Sequence, residues 1–402
     1  MSRTTRIYYG WIILACLCCA GFARQGPALA TLSIFVEPLT REFGWSRAAL
    51  SGAVSLAGVL AALLSPLIGP LLDRHGSRLI LCGAVLVNAT VLVLLSFTPS
   101  LLIFYLLFCI GRISWAVPFD LGIYGAIGNW FVERRAFAAS AATMAQMAGL
   151  VAMPLIAQLA IERHSWRTGW LALGVVTLLV GFLPCWLFLV RRPEDIGLTP
   201  AKTPHTLAEP RFSGEQALRQ PAFWLLLAYT ALVYPVQAGI SLHQAPHLVE
   251  RGIDATTAAL IVSSFSLMSG VGTFACGMLP RRLPVRIPLA LVGVLLALSA
   301  LLMTRIASAA DGYLAAAVFG LGIGGILTLL PVAWADYFGR ENYGTIRGLA
   351  LSAQVLAQAI GPLLAGALHD ITGDYGLSLY CFAVLAGVSV IAALAARPPR
   401  SV

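Results

Sequence analysis

The stretch Gly-Pro-Leu-Leu-Asp-Arg-His-Gly-Ser-Arg, at residues 69–78, joins two long apolar runs. The runs on either side of its charged part, 48–72 and 79–111, contain no Asp, Glu, Lys or Arg. A helix needs about 20 mainly apolar residues to cross a bilayer, so each run is long enough for a membrane span. Residues 69–78 are therefore predicted to carry a short charged loop between two spans.

The composition of the chain indicates a membrane protein. Apolar residues make up 59% and charged residues 11% of the 402 residues. Soluble proteins average about 45–50% and about 25%, so a water-soluble globule is excluded, and so is a disordered chain. The basic residues lie singly or in pairs between apolar runs rather than in the basic patch that nucleic-acid binding needs. The eight cysteines lie inside apolar runs without metal or disulfide spacing, and no metal or cofactor is expected.

The apolar runs predict an all-α integral membrane protein with twelve transmembrane helices. The run 79–111 is too long for one helix and divides at Pro99-Ser100 into span three and the beginning of span four, which continues to about 128. Span one runs from Tyr9 to Val36 and contains Arg24. The remaining charge-free runs are 136–161, 168–190, 220–249, 255–280, 287–304, 312–335, 348–369 and 375–396.

The distribution of Lys and Arg predicts the orientation of the chain. If the N-terminus lies inside, the inner segments contain 18 of these residues and the outer segments 6. Cytoplasmic loops of membrane proteins carry the excess of positive charge. We therefore expect a multi-pass protein with both termini in the cytoplasm. Its expected location is the plasma membrane, which is the inner membrane of a bacterium.

An internal repeat predicts two pseudo-symmetric six-helix halves. The one long polar loop, 191–219, contains four prolines and separates an N-terminal half, 1–190, from a C-terminal half, 220–402. Two such halves are a transporter architecture with its binding site between them near the midplane, and one chain then suffices as a monomer. A shift of 208 residues aligns Gly69 with Gly277, Arg74 with Arg282, Gln146 with Gln354, and Pro154 with Pro362.

The loop after span two resembles the signature loop of the major facilitator superfamily. The matching residues are Gly69, Asp73, Arg74, Gly76 and Arg78, whereas a serine occupies position 77, where the family usually has a basic residue. The resemblance implies a twelve-helix transporter whose loop latches the inner gate through charge pairs that break in one state. Simple anchoring at the inner surface is the alternative.

Other segments resemble the monocarboxylate and oxalate–formate porter group. Members of this group usually carry a cationic residue in span eight or eleven, but the runs 255–280 and 348–369 contain none. The resemblance therefore does not carry over a substrate. The similar segments are Tyr9-Gly-Trp11, Glu42-Phe-Gly-Trp45-Ser-Arg47, Asn129-Trp-Phe131 and Arg192-Pro-Glu-Asp-Ile-Gly-Leu198.

Three ionisable residues within predicted spans are the strongest candidates for a binding site. Arg24 lies in span one, and Arg112 and Asp120 lie in span four. A charge in the membrane costs about 2.5–3.5 kcal/mol on insertion scales, so it persists mainly where it faces a cavity or a partner. We predict that the two arginines bind a carboxylate, which their planar forks suit. Asp120 is either the proton carrier or a structural counter-ion, and a buried Arg112–Asp120 pair is the alternative.

Polar and aromatic residues of the C-terminal half are further candidates for contacts with the substrate. Gln354 and Gln358 are four residues apart and therefore share a helix face. Hydrogen bonds that pack membrane helices are the alternative for each of these side chains. The candidates are Tyr234, Gln237, Trp334, Gln354 and Gln358.

The sequence predicts a secondary transporter of a small organic anion, in particular a monocarboxylate, moved with protons or in exchange for a counter-anion. A multidrug or metabolite efflux transporter of the same fold is the first alternative, although two midplane arginines would repel cationic drugs. A transporter-like sensor is a further alternative, but it would usually need an added output domain. A membrane enzyme would need a catalytic group of residues, and none is apparent.

Overall fold

A computed structural model describes residues 8–45, 47–132, 134–198, 210–278 and 283–399. Almost all of these residues are helical. The continuous apolar runs account for this, because a helix satisfies every backbone hydrogen bond within its own segment and can therefore cross a bilayer.

The first of two compact units comprises Met1–Leu207. Nine α-helices follow one another in its described residues, and a π-helical turn, Thr177–Phe182, connects the last two. The helices are α1 Gly10–Ala23, α2 Leu29–Phe43, α3 Arg47–His75, α4 Ser77–Leu95, α5 Leu101–Ala116, α6 Pro118–Trp130, α7 Arg135–Arg163, α8 Trp166–Val176 and α9 Leu183–Phe188.

The second compact unit comprises Ala208–Val402. Its described residues form one short helix and six long ones. The helices are α10 Gly214–Leu218, α11 Pro221–Glu250, α12 Ala255–Gly277, α13 Arg286–Thr304, α14 Ala309–Phe338, α15 Tyr343–Thr372 and α16 Gly376–Ala395.

The predicted twelve-helix membrane fold is confirmed. Eleven helical segments of the described chain are long and apolar enough to cross a membrane, when α5 with α6, and α8 with α9, are each counted as one. The twelfth, span one, consists of the apolar helix α1 and of α2.

The helices pack in the same order in both units. In the first unit, α1 packs on α7, α3 on α5, and α4 on α8. In the second unit, the corresponding pairs are α11 on α15, α12 on α14, and α13 on α16. Spans one and five, two and four, and three and six of each unit are therefore neighbours. This common pattern is the structural counterpart of the 208-residue repeat.

Span one is not the continuous helix that we predicted from Tyr9 to Val36. Its helix stops after Ala23 and resumes at Leu29. The interruption contains Gly26 and Pro27, and proline has no backbone N–H and disfavours helical backbone at the residue before it. Arg24 therefore lies at the edge of a helix break, where backbone groups are free to make other contacts.

Span four is also interrupted, at Val117, so it is not one continuous helix to about residue 128. Val117 has φ −115° and ψ −68°, and Pro118 is the first residue of α6. Because Asp120 lies in the first turn of a new helix, the rotation of an uninterrupted helix does not describe its direction relative to Arg112.

Part of the loop between the predicted halves is described. Residues 199–209 lie outside the described chain, and so does Arg282, the repeat partner of Arg74. Near the end of the loop, the backbone N–H of Gln216 donates to Ser213 Oγ at 3.1 Å, and the N–H of Ser213 donates to Gln216 Oε1 at 2.8 Å. This reciprocal capping box begins α10.

Candidate functional site

The break in span one is held by hydrogen bonds to the carbonyl groups that the missing helical turn leaves free. Its four donors come from the neighbouring spans and from α2. Such donors are required because an unpaired backbone carbonyl inside a membrane protein is costly. The bonds run from Thr177 Oγ1 to Ala23 O at 3.4 Å, from Asn88 Nδ2 to Arg24 O at 3.4 Å, from Thr31 Oγ1 to Gln25 O at 2.8 Å, and from Arg112 Nη1 to Pro27 O at 3.4 Å.

Arg24 directs its guanidinium group from the break toward α5 and α7. The residue is 6% exposed. Its Nη1 donates to Gln146 Oε1 at 2.9 Å, and its Cζ lies 4.6 Å from the centre of the Trp115 ring. Among the described residues, Arg24 Nε has no hydrogen-bond partner. A buried guanidinium group with an unused donor has capacity for an additional acceptor.

Arg112 contacts the same indole ring. Its Cζ lies 4.1 Å from the centre of the Trp115 ring. The indole is oriented by a hydrogen bond from Trp115 Nε1 to Gln25 Oε1 at 3.2 Å. Cation–π contacts of this kind contribute about 0.5–2 kcal/mol each, more where water is excluded. Trp115 thus holds two like-charged guanidinium groups in one place.

Asp120 is the third charged residue of this site and is 8% exposed. It lies in the first turn of α6. The Asp120 carboxylate attracts the Arg24 guanidinium group. Arg112, in contrast, is repelled by Arg24. Among the described residues, Arg112 forms no ion pair, so the alternative of a buried Arg112–Asp120 pair is not what the structure contains. With all three groups charged, the site carries one net positive charge.

A chain of hydrogen bonds orients the Gln146 side chain. Thr143 Oγ1 donates to Ala139 O at 2.9 Å, so the Tyr124 hydroxyl, 2.9 Å away, donates to Thr143 Oγ1. The Tyr124 hydroxyl oxygen accepts in turn from Gln146 Nε2 at 3.5 Å. The amide oxygen of Gln146 is thereby turned toward Arg24. The repeat drew attention to Gln146, but nothing in the sequence indicated Trp115, Gln25 or Tyr124.

The glutamine candidates of the second unit have separate partners. Gln358 Nε2 donates to Gln237 Oε1 at 3.3 Å, which joins α15 to α11. Gln354 instead accepts a hydrogen bond from Arg347 Nη2 at 2.8 Å. The structure therefore brings Gln237 and Gln358 together and places Gln354 in contact with an arginine of its own helix.

The two aromatic candidates of this unit are buried. Tyr234 is 2% exposed on α11. Trp334 is fully buried, with its ring centre 5.4 Å from that of Phe223 and 5.8 Å from that of Phe338. These contacts fit the packing alternative for Trp334. That the candidates of this unit share one site with Arg24 and Arg112 stays a prediction.

The predicted gating loop has a defined backbone geometry. Gly69, Asp73 and Arg74 belong to the last turns of α3, and Gly76 precedes α4 with φ +84°. A side chain at Gly76 would also meet the Arg191 side chain, whose Cδ would lie 2.6 Å from an added Cβ. Beyond the turn, Arg78 Nη2 donates to the carbonyl of Trp186 at 2.9 Å. A gating role for this loop stays a prediction.

Residues 320–325 match a dinucleotide-binding pattern of glycines, but their structure is that of packed helices. An added Cβ at Gly320 would meet the carbonyl of Phe265, and one at Gly324 would meet the carbonyl of Ser269. Both contacts join α14 to α12. Small residues allow such close approach of membrane helices. Among the described residues, no three His, Cys, Asp or Glu side chains are grouped to hold a metal ion.

Comparison with known proteins identifies the relatives of this chain. A family model described as Major Facilitator Superfamily matches residues 13–354 and 244–401. Monocarboxylate transporter 11 of Mus musculus is 28% identical over 399 residues, which cover 95% of this chain and 86% of the relative. Monocarboxylate transporter 3 of Rattus norvegicus is 26% identical over 392 residues, which cover 96% and 78%. The membrane sensor protein UhpC of Salmonella typhimurium is 27% identical over 361 residues, which cover 82% and 79%.

Solved structures show the same fold. The human organic anion transporter MFSD10 superposes with a TM-score of 0.73 at 17% sequence identity and covers 98% of this chain and 100% of its own. FucP, crystallised in the outward conformation, superposes with a TM-score of 0.72 at 14% identity and covers 96% and 99%. At these identities the likeness extends to the fold alone.

Proposed function

The chain belongs to the major facilitator superfamily, and on that premise we propose that it transports a small organic anion, in particular a monocarboxylate, by alternating access. The family and the monocarboxylate transporters among the relatives are membrane transporters, so the protein is a multi-pass transporter and not an enzyme. Its similarity to the monocarboxylate porters supports the choice of substrate class.

The observation that carries this proposal is the placement of two guanidinium groups, that of buried Arg24 and that of partly buried Arg112, on one indole ring. Arg24 and Arg112 lie 4.6 and 4.1 Å from the centre of the Trp115 ring. Two like charges at this depth repel each other, and burial strengthens the repulsion. A bound anion removes this cost and takes up the unused Nε donor of Arg24.

The net charge of the site favours a monovalent anion. Two arginines and Asp120 leave one positive charge, which a single carboxylate would neutralise. A planar guanidinium group can donate two parallel hydrogen bonds to one carboxylate. In this proposal, spans one and four supply the cationic residues that the monocarboxylate porter group usually carries in span eight or eleven.

The proposed transport cycle uses the predicted inner loop and an acidic residue. Gly69, Asp73, Arg74, Gly76 and Arg78 would latch the inner gate. Asp120 would carry the coupled proton in a symport mechanism, since protonation removes the negative charge of its carboxylate and makes the site next to Arg24 more positive for the anion. In an exchange mechanism, Asp120 would keep its charge and a counter-anion would return through the same site. We further propose a monomer in the plasma membrane with both termini in the cytoplasm.

Two other functions of the same fold remain candidates. The excess of positive charge at the site argues against efflux of cationic drugs. A sensor role has one observation in its favour, which is the 27% identity to the sensor UhpC. Substrate movement across the membrane separates a transporter from a sensor.

Uptake into proteoliposomes tests the proposal. Labelled lactate, pyruvate, oxalate, formate and a cationic dye are compared under an inward proton gradient and under counterflow. We expect uptake of one acid and its loss in Arg112→Gln, by at least ten-fold, because a hydrogen-bonded charge contributes about 1.5–3 kcal/mol to binding. Size-exclusion chromatography must give an unchanged folded peak for this variant.

Each outcome of this experiment decides between the candidates. Uptake driven by the gradient supports symport, and uptake that needs internal anion supports exchange. Dye movement without anion movement would replace the proposal by efflux. Full uptake in Arg112→Gln would contradict the assignment of the site, and movement of no compound would favour the sensor.

A further inference from the structure

Three histidines surround one tyrosine at one end of the second unit. His243 and His247 belong to α11, His369 belongs to α15, and Tyr375 directly precedes α16. Their ring centres lie 5.1, 5.9 and 4.4 Å from that of Tyr375. Histidine is the side chain whose charge ordinarily changes between pH 5 and 8. This end of the unit therefore concentrates groups that can bind protons.

Two of the three histidines donate a hydrogen bond to a backbone carbonyl group. His243 Nε2 lies 3.2 Å from Pro362 O, and this carbonyl only accepts, so Nε2 carries the hydrogen. His243 Nδ1 can then accept from the hydroxyl of Tyr375 at 3.1 Å. Buried His247 donates from Nε2 to Met303 O at 2.8 Å. Burial and the neighbouring Glu250 and Asp370 raise the pKa of Tyr375, which stays a neutral donor.

His369 has a different environment, because its partner is an acid. His369 Nε2 lies 2.8 Å from Glu250 Oε1, and His369 Nδ1 lies 4.0 Å from Asp370 Oδ1. The side chains of His369 and Glu250 are 28% and 38% exposed, so both are accessible to water and protons. The pair joins the last turn of α15 to the last residue of α11.

The first unit contains a comparable contact, in which the base is an arginine from a different span. Glu250 follows Glu42 by 208 residues, the offset of the internal repeat. Glu42 Oε1 lies 2.7 Å from Arg167 Nη1, and Glu42 Oε2 accepts a hydrogen bond from Trp166 Nε1 at 2.5 Å. Arg167 stays charged at any physiological pH. In both units, the acid at the end of the first span is therefore held by a base from a later span, but the base titrates in the second unit only.

We propose that His369 and Glu250 form a proton-binding site that latches the ends of α11 and α15 together. Protonation of His369 converts a neutral hydrogen bond to the Glu250 carboxylate into an ion pair. Loss of the proton weakens the bond and loosens this end of the second unit. The corresponding contact of the first unit, Glu42 with Arg167, stays closed over the same pH range.

Other charged groups lie near the pair. Asp370 and Asp374 lie on the chain that follows His369, and with Glu250 they place three carboxylates at this end. Arg251 is the nearby cation on α11, and its Nη2 donates to Thr304 O at the end of α13. The charges of Glu250, Asp374 and Arg251 all act on His247. Three carboxylates and one arginine therefore lie near the pair.

Hydrogen–deuterium exchange of the full-length protein in lipid nanodiscs tests this proposal. Peptides that cover the C-terminal ends of α11 and α15 are compared at about pH 5.5 and about pH 8, on either side of the histidine range, with labelling times scaled for intrinsic exchange. We expect exchange about two- to five-fold slower at the lower pH, because a partly exposed ion pair contributes about 0.2–1 kcal/mol. The peptide with Glu42 should show no such difference.

Matched variants assign the effect to the pair. His369→Arg copies the permanent contact of the first unit and should give slow exchange at both pH values, whereas His369→Gln should give fast exchange at both. Arg167→His should make the first unit pH-dependent. Equal exchange of the wild type at both pH values would overturn the proposal. A pH effect that persists in His369→Arg would overturn it too, because His243 or His247 would then be responsible.

Discussion

Arg24 is joined to Gln146 by a hydrogen bond of 2.9 Å between Nη1 and Oε1. The second unit contains a similar pair, because Gln354, which follows Gln146 by 208 residues, accepts a hydrogen bond from Arg347 at 2.8 Å. In both units the amide oxygen of a glutamine accepts a hydrogen bond from an arginine but does not neutralise its charge. The Arg24 guanidinium group therefore stays positive and available to an anion.

We expect Gln146→Glu to abolish anion uptake while the protein stays folded. The new carboxylate would take the place of the amide oxygen, pair with Arg24 and remove the one net positive charge of the site. Opposite charges about 4 Å apart interact by about 4 kcal/mol at an effective dielectric constant of about 20, so uptake should fall at least ten-fold. Proteoliposome uptake at a fixed proton gradient measures this effect.

Gln158→Glu is the control, because it adds the same charge to α7 at a position near the C-terminal end of the helix. Gln158 donates to Glu162 at 2.7 Å and is partly exposed. Its substitution should leave uptake within about two-fold, as expected for a surface change. Equal loss in both variants would mean that any negative charge on α7 blocks transport, and the role of Arg24 would have to be abandoned.

Two substitutions of Trp115 should separate the contribution of its aromatic face from that of its hydrogen bond to Gln25. Trp115→Leu removes the aromatic face from both guanidinium groups, and we expect KM for the anion to rise about ten-fold, since each cation–π contact contributes about 0.5–2 kcal/mol. Trp115→Phe keeps an aromatic face but loses the hydrogen bond to Gln25. It should raise KM by less than Trp115→Leu. The same KM for all three proteins would show that the indole does not position the arginines.

The fold could be predicted from the sequence because its signals are long and redundant. Uncharged runs located the spans, and the repeat located the two six-helix units. The break at Gly26 and Pro27 was missed, although both residues are common in breaks, because the apolar run continues through them. Membrane helices tolerate proline often enough that apolarity dominated the prediction.

The site could be predicted only in part, for a related reason. A charge in an apolar run stands out, so Arg24, Arg112 and Asp120 were found. Trp115 does not stand out among nine tryptophans, because its role depends on which face of α5 meets α1. The contact of Glu250 with His369 joins residues 119 positions apart, and no local sequence pattern predicts such a pair.

Gly76→Ala should destabilise the predicted gating loop. Gly76 has φ +84° and ψ 163°, a backbone region that costs a residue with a side chain about 1–3 kcal/mol, and the Arg191 side chain would have to move as well. We expect the midpoint of thermal unfolding in detergent to fall by about 2–4 °C per kcal/mol. Gly83→Ala is the control, because an added Cβ there meets no atom within 4 Å. This change within α4 should be neutral or stabilising. A lower midpoint for Gly83→Ala than for Gly76→Ala would contradict this account of the turn.

Gly149→Ala should disturb the candidate site through its backbone. Gly149 of α7 lies against the carbonyl of Phe22, two residues before Arg24, and an added Cβ would meet that oxygen. The two helices would have to separate, which costs about 1–3 kcal/mol in a packed interior and lengthens the bond from Arg24 to Gln146. We therefore expect both a lower unfolding midpoint and a higher KM for the anion.

The second unit provides the comparison that separates packing from binding. Gly361 of α15 lies in the same way against the carbonyl of Pro235 in α11. Gly361→Ala should lower the unfolding midpoint to a similar extent, since the clash is of the same kind, but it leaves the bond from Arg24 to Gln146 intact. A larger rise of KM in Gly149→Ala than in Gly361→Ala, at equal loss of stability, would place the anion next to α1. Equal KM values for the two variants would show that helix spacing, and not the position of Arg24, controls binding.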